Sequence, residues 1–368
     1  MYSNPKFLNS ILIFLFLLVS VFGFSQKKIL IYHETDGFVH SSITHGITMF
    51  ADLGNENNEW ITDSSNNSNV FTTENLSQYD AVVFLNTTGT NLLTDSEEIA
   101  FESFIASGKG FIGIHAAADT YRDGTWPFYN ELVGAIVQNS PNHTWAGTNA
   151  DIEVKINNPI TNFLGSVGST WNKDDEYYYW DLNGGQLSTD NTILLEVGET
   201  VGQNGMVNSY DAPRPTTWCK ESITYDDDNN VSTPDVTLSG IKSFYTSLGH
   251  DDIDYTSNSN FRTMLKNAAL WAVGSSLSTN DFTNNNENFK IQNNPVKEDV
   301  KIRFSNSNLK TSISIYDVLG KKVLNKTVTV SMLDNDVYKI NMNSYNSGVY
   351  IFVLKNKDVI QSFKIIKL

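Results

Sequence analysis

The chain has 368 residues, 40% of them hydrophobic and 18% charged, which is enough for a large core and about two or three domains. Its net charge of −16 is unevenly placed: residues 29–288 carry 35 acidic and 9 basic side chains, residues 289–368 carry 6 and 13. So negative a field over the longer segment repels phosphate backbones and excludes nucleic acid as a partner, while a neutral sugar or a cation tolerates it.

Residues 1–25 read as a signal peptide. Lys6 supplies the positive region, Ile11 to Val19 the apolar one, and Gly23-Phe24-Ser25 the small residues before a cut at Gln26. No later stretch reaches 18 apolar residues, so no transmembrane helix is expected in the mature chain. From residue 28 strands and helices alternate. Residues 28–32 form a strand, 42–53 a helix ending at Gly54, and 81–86 a buried strand. Thr94-Asp95-Ser96-Glu97 has the capping-box pattern and opens a helix with an apolar face of Ile99, Phe101, Phe104 and Ile105, ending at Gly108. A strand at 110–114 follows. Strand, helix, strand at this spacing predicts a mostly parallel α/β sheet flanked by helices.

Further strands are expected at 152–156, 176–180, 193–197, 216–221 and 243–247. A closing helix at 261–273 sets Phe261, Met264, Leu265, Ala268, Ala269 and Ala272 on one side. Residues 201–215 and 225–240 read as surface loops. The Asp226-Asp227-Asp228 run reads as a solvated turn, since it lacks the ligand alternation of a calcium loop. Cys219 stands alone, so no intramolecular disulfide forms, and it reads as a small buried side chain. Residues 275–288, rich in Ser, Thr and Asn, form a linker. Beyond it apolar residues alternate at Val300, Ile302 and Phe304, at Ile313 and Ile315, and at Val349, Ile351 and Val353, which predicts a small all-β sandwich over 289–368.

This tail resembles the C-terminal sorting domain of the bacterial type IX secretion pathway. The matching residues are Asn294-Pro295, Ile315-Tyr316-Asp317-Val318-Leu319-Gly320-Lys321, Ser347-Gly348-Val349-Tyr350 and Lys364-Ile365-Ile366-Lys367. The resemblance implies that residues 289–368 engage the type IX machinery, that the protein is secreted or held at the cell surface, and that the tail carries no chemistry.

Chemistry-bearing residues collect where strands end. His33, His115 and His250 each stand just past an apolar run, and in an open α/β sheet the carboxyl ends of the strands share one rim where ligands bind. In Gly113-Ile114-His115-Ala116-Ala117-Ala118-Asp119 small residues permit a tight bend with His115 exposed at its apex, as acid, base or metal ligand, and Asp119 orienting it. His40 precedes the first helix, whose positive end favours a neutral imidazole; Ser41 or Ser42 would cap that helix. His33 and His45 rank lower. In the run 174–181 carboxylates lead into four aromatics, with Glu176 and Tyr178 on one face and Tyr177 and Tyr179 on the other. Rings beside carboxylates suit a sugar, and Trp126, Trp145, Trp171 and Trp218 fit either that surface or the core. Zinc-binding cysteines, a Gly-x-Ser-x-Gly elbow, a Gly-x-Gly-x-x-Gly turn after the first strand and a Walker loop are all absent.

Taken in order, Gly37-Phe38-x-His40-x-Ser42-Ile43, Gly110-Phe111-Ile112-Gly113-Ile114-His115-Ala116-Ala117-x-Asp119, Trp126-Pro127-Phe128-Tyr129-x-Glu131-Leu132-Val133-Gly134, Asp175-Glu176-Tyr177-Tyr178, Thr217-Trp218 and Phe244-Tyr245-Thr246-x-Leu248-Gly249-His250 resemble the trehalose-utilisation (ThuA-like) family over residues 28–274. The resemblance implies a flavodoxin-like sheet related to class I glutamine amidotransferases and a role with trehalose-like or oxidised (3-keto) sugars. His115 falls where those amidotransferases carry a nucleophilic cysteine, so thiolate-based glutamine hydrolysis is not expected. Asn158-Pro159-Ile160-Thr161 departs from the family in its asparagine, and residues 225–240 in their length. The expected protein is a sugar hydrolase, lyase or isomerase. His115 and His250 would be acid/base groups or, with Glu176, ligands of a divalent metal ion. Glu176 would otherwise be a general base, and Asp119 the orienting carboxylate. His40, Tyr177, Trp126 and Trp218 would contact a small-molecule or oligosaccharide substrate. A non-catalytic carbohydrate-binding surface protein is the alternative. A purely structural surface protein is a third reading, and it predicts that the histidines do not converge.

Overall fold

A computed structural model describes residues 26–226, 235–274, 289–304, 310–317, 321–329, 336–355 and 360–368. The expected signal peptide, the linker, and Asp227 and Asp228 lie outside the described residues. The first half runs β1 (Lys27–Tyr32), α1 (Ser42–Glu56), β2 (Trp60–Ser65), α2 (Thr73–Leu76), β3 (Ala81–Leu85), α3 (Asp95–Ala106), β4 (Gly110–Ile114), α4 (Pro127–Val133) and β5 (Ala135–Ile136). It continues with β6 (Thr148–Val154), β7 (Thr170–Asp175), β8 (Gln186–Leu187), β9 (Thr192–Val197), β10 (Arg214–Tyr225), β11 (Val236–Thr246), α5 (Asp252–Thr256) and α6 (Ser259–Ala272).

Nine strands form one sheet in the order β2-β1-β3-β4-β11-β10-β9-β6-β7. The first five are parallel, and β10 turns the direction, pairing antiparallel with both β11 and β9. Counting only the parallel strands gives the flavodoxin-like order 2-1-3-4-5. β3 and β4 are buried along their whole length, as expected of parallel strands covered on both faces. Every residue assigned to the inner side of the closing helix is buried in α6. Glu97 Oε2 accepts from Thr94 N at 2.8 Å, as the capping pattern predicts.

Several elements depart from the sequence reading. α1 runs past Gly54, whose missing side chain leaves room for the Trp60 carbonyl. Ile99 is exposed and Ala100 takes its place in the core, because Ile99 sits about 200° from Phe101 around the helix. β2 was not anticipated, since Ile61 to Ser65 bury little and leave no apolar alternation. β10 and β11 pair up to Tyr225 and Val236, so Tyr225 and residues 236–240 lie in strands where a loop was expected. The strand expected at 176–180 ends at Asp175 instead; Tyr177 to Trp180 are all buried and Tyr178 keeps only an isolated bridge to His143.

Gly134 ends α4 in the left-handed region (φ 83°), its N–H donating to Asn130 O at 2.8 Å. A Cβ there would press on Trp218 Nε1 at 2.8 Å. Gly134→Ala is expected to lower stability by about 1–2 kcal/mol, read from the urea midpoint. An unchanged midpoint would contradict this account of the turn.

Backbone proximity divides the chain into two units, residues up to Ile152 with Asn172–Val273, and Glu153–Trp171 with Gly274–Leu368. In the second, β12 (Phe289–Ile291), β13 (Asp299–Phe304) and β16 (Val337–Asn341) form one antiparallel sheet. β14 (Thr311–Asp317), β15 (Lys322–Val328), β17 (Gly348–Lys355) and β18 (Ile360–Lys367) form another. Val300, Ile302, Phe304, Ile313 and Ile315 are buried together as expected. In β17 the phase is reversed, with Tyr350, Phe352 and Leu354 inward and Ile351 outward. Both faces of that strand are apolar, so pattern alone cannot set which one packs. Among the described residues no helix is long and apolar enough to cross a membrane.

Candidate active site

Loops at the carboxyl ends of β1, β4 and β11 supply three histidines, as the crevice rule for α/β sheets anticipates. The first loop is tied down by Thr88 Oγ1, which donates to Phe38 O at 3.0 Å, and by Asn86 Nδ2, which donates to Ser42 Oγ at 2.9 Å. Neither serine caps α1 with its side chain; Ser41 Oγ donates instead to Asp252 Oδ1. His40 is thereby held in the interior, 5% exposed, with Nδ1 buried and unpartnered. Its pKa is lowered to about 4, by burial first and then by His250 and His143; the helix end is not the main cause.

His115 follows β4 in a left-handed backbone conformation (φ 48°). Such a conformation costs a non-glycine residue roughly 1–2 kcal/mol and tends to mark functional sites. Tyr245 Oη donates to its carbonyl at 2.7 Å, and its ring lies 4.7 Å from that of Tyr178 in a stacked pair. The predicted bend is present as a short 3-10 turn, His115–Asp119, but His115 is fully buried rather than exposed at an apex. Its Nδ1 lies 2.7 Å from Ser247 O. A carbonyl only accepts, so Nδ1 carries the proton and Nε2 presents its lone pair. That Nε2 is 3.2 Å from Tyr178 Oη, 3.2 Å from His250 Nδ1 and 3.8 Å from Glu176 Oε1. Burial and the neighbouring His40 and His250 hold the His115 pKa well below its ordinary value.

Asp175 organises the third histidine. Its Oδ2 accepts from Gly249 N at 3.0 Å and its Oδ1 from His250 N at 3.3 Å and Glu176 N at 2.8 Å. Lys173 Nζ meets Asp175 Oδ2 at 2.9 Å and Asp254 Oδ1 at 2.6 Å. Burial alone would lower the Lys173 pKa; the two carboxylates more than offset it, so the ammonium is retained. Glu176 then places Oε2 at 3.5 Å from His250 Nδ1 and 3.4 Å from His143 Nδ1. Burial, with Asp175, Asp119 and Asp251 nearby, pushes its pKa up to about 8.

Of the residues singled out in the sequence, His115, His250, Glu176 and His40 meet. Asp119 does not orient His115: its carboxylate is paired with Arg122 Nη1 at 2.7 Å, and Ser247 O takes the place assigned to it. Tyr177, Trp126 and Trp218 are core residues. Tyr177 is fully buried and donates to Lys173 O at 2.7 Å. Trp126 stacks on Tyr129 and donates to Glu102, and Trp218 donates to Val133 O. Each indole N–H is satisfied internally, which is how buried tryptophans are accommodated. Tyr177→Phe is accordingly expected to cost about 1 kcal/mol of stability with substrate KM unchanged; a raised KM at full stability would restore it as a contact. His33 pairs through its backbone with Ser65, and His45 faces Asp252 at 3.5 Å.

Sequence reasoning missed His143, which no strand-end pattern announces, and Ser247, which follows β11 directly but acts through its backbone carbonyl. Tyr178 was legible only through its alternation with Glu176: both turn toward His115, while Tyr177 and Tyr179 turn to Lys173 and Asp211.

The profile of the secretion-system C-terminal sorting domain matches residues 290–368, which fits export to the medium or the cell surface and engagement of the secretion machinery. No curated protein matches the chain. A putative ThuA-like protein of Bacteroides uniformis shares the fold at 22% identity and a TM-score of 0.51, over 67% of this chain and 91% of that one. A second, from Parabacteroides merdae, aligns at 16% identity and a TM-score of 0.46, over 67% and 90%. The profile described as trehalose utilisation (ThuA) matches residues 28–272, two-thirds of the sequence and every site residue described above. The chain belongs to the trehalose-utilisation (ThuA) family.

Proposed function

We propose that the α/β domain is a secreted enzyme acting on a neutral sugar, trehalose-like or oxidised to the 3-keto form, by histidine and carboxylate proton transfer. The observation that carries this reading is the convergence of His115, His250 and Glu176, each placed by a different part of the sheet, within 3.8 Å of one another. Removing a proton beside a ketone, or breaking a glycosidic bond by elimination or hydrolysis, needs a proton-transfer group and an electrophile at the substrate oxygen. Glu176 fills the first role. His250, which is partly open to solvent, acts at the oxygen with the Tyr178 hydroxyl beside it, and the His115 Nε2 lone pair lies behind both as an acceptor. The acidic balance of this segment favours an uncharged substrate.

The test is incubation of the purified chain with trehalose and with its 3-keto derivative, followed by chromatography of the products. Conversion of either supports the reading. Tight calorimetric binding with no product after long incubation would replace it with the non-catalytic carbohydrate-binding alternative.

A further inference from the structure

We propose that His40, His115 and His250 together form a three-imidazole site for a first-row divalent cation, with zinc the closest fit. One ring nitrogen from each lies within 4.8 Å of the others. Tetrahedral zinc with bonds of about 2.0–2.1 Å separates its nitrogen ligands by roughly 3.3 Å. The His115 Nε2 to His250 Nδ1 separation of 3.2 Å already has that length. The 4.8 Å bound on the three nitrogens leaves at most about 1.5 Å of closure for the third vertex.

Two further observations favour a cation over a plain histidine cluster. A hydrogen bond between His115 and His250 accounts for two rings but leaves His40 with a buried, unpartnered Nδ1, which is costly without a ligand. The His40 ring stands edge-on to both others, at 4.9 and 5.2 Å, sharing no proton with either. His115 also makes the outer bond that metal-bound histidines make, with Nδ1–H given to a backbone carbonyl so that Nε2 is the donor atom. Three nitrogen donors suit zinc and its neighbours rather than magnesium or calcium, which take oxygen.

Three protein ligands leave a coordination position open. Glu176 borders it, with its oxygens 3.5 Å from His250 Nδ1 and 3.8 Å from His115 Nε2. There it reaches a substrate or water oxygen held by the cation without itself being a ligand. This deepens the proposed sugar chemistry and shares its pocket, but it stands on the donor set and is tested without turnover.

The full chain, stripped with a chelator and dialysed, is titrated with Zn²⁺ by calorimetry and with Co²⁺ by visible absorption, with elemental analysis of the product. One equivalent is expected, with the intense cobalt bands of a four- or five-coordinate nitrogen site. Loss of an outer-shell partner typically weakens metal binding 10- to 100-fold, so His40→Ala and His250→Ala, checked for folding by circular dichroism, should each weaken it by more than about 100-fold. Glu176→Gln should stay within about tenfold of wild type. Wild-type uptake no tighter than that of His40→Ala, or a loss in Glu176→Gln that His40→Ala does not share, would overturn the assignment. Metal bound in one equivalent with no sugar converted would leave this site standing and remove the proposed activity.

Discussion

Exchange of Glu176 for glutamine is expected to lower kcat on the sugar substrate by roughly 10²- to 10⁴-fold, the contribution of a single positioned acid or base. Glutamine matches glutamate in volume, and Oε1 and Oε2 make contacts with His115, His143 and His250 that an amide partly retains. Folding should therefore survive, as judged by near-ultraviolet circular dichroism. The exchange removes the capacity to take or give a proton while leaving the shape of the site, so KM should change far less than kcat. A variant with wild-type kcat would move the proton-transfer role to another group, with His143 next in line at 3.4 Å from Glu176 Oε2.

Lys173→Met should destabilise the chain by about 3–5 kcal/mol, the cost of leaving a buried ion pair without one partner. The Lys173, Asp175 and Asp254 side chains are 3%, 0% and 1% exposed. Removing the ammonium strands two carboxylates away from water, one of which already has an unpartnered oxygen, Asp254 Oδ2. The damage extends to the site, because Asp175 is also what holds the Gly249 and His250 backbone N–H groups. Urea unfolding measures the first effect. Activity of the fraction still folded measures the second and should fall as well. A loss under 1 kcal/mol would show that the carboxylates find protons or water instead. In that case the triad would not be what fixes His250.

How much could be seen beforehand varied with the kind of signal. β3, β4 and α6 were legible because burial on both faces, or along one helical stripe, writes itself into composition. β2 was not, since a strand with a mostly solvated polar sequence resembles a loop. The β7 boundary was misjudged because a run of aromatics reads as strand whether it packs in a ladder or folds irregularly into the core. The same ambiguity placed Tyr177, Trp126 and Trp218 at a sugar surface when their rings fill the interior. A large ring with one polar atom suits a core that satisfies that atom as well as it suits a ligand.

By itself the sequence determined the alternation of β1, α1, β3, α3 and β4, the closing helix α6, the composition break before the tail, and the histidines at the ends of β4 and β11. These follow from local spacing, periodicity and charge. Only the tertiary structure decided that His40, 75 residues before His115, shares its pocket, that Ser247 rather than Asp119 orients the imidazole, and that Asp175 fixes the His250 turn. The reason is physical: which side chains meet above a sheet depends on strand order and on where each backbone turn aims its Cβ, and neither is carried by the residues of any one segment.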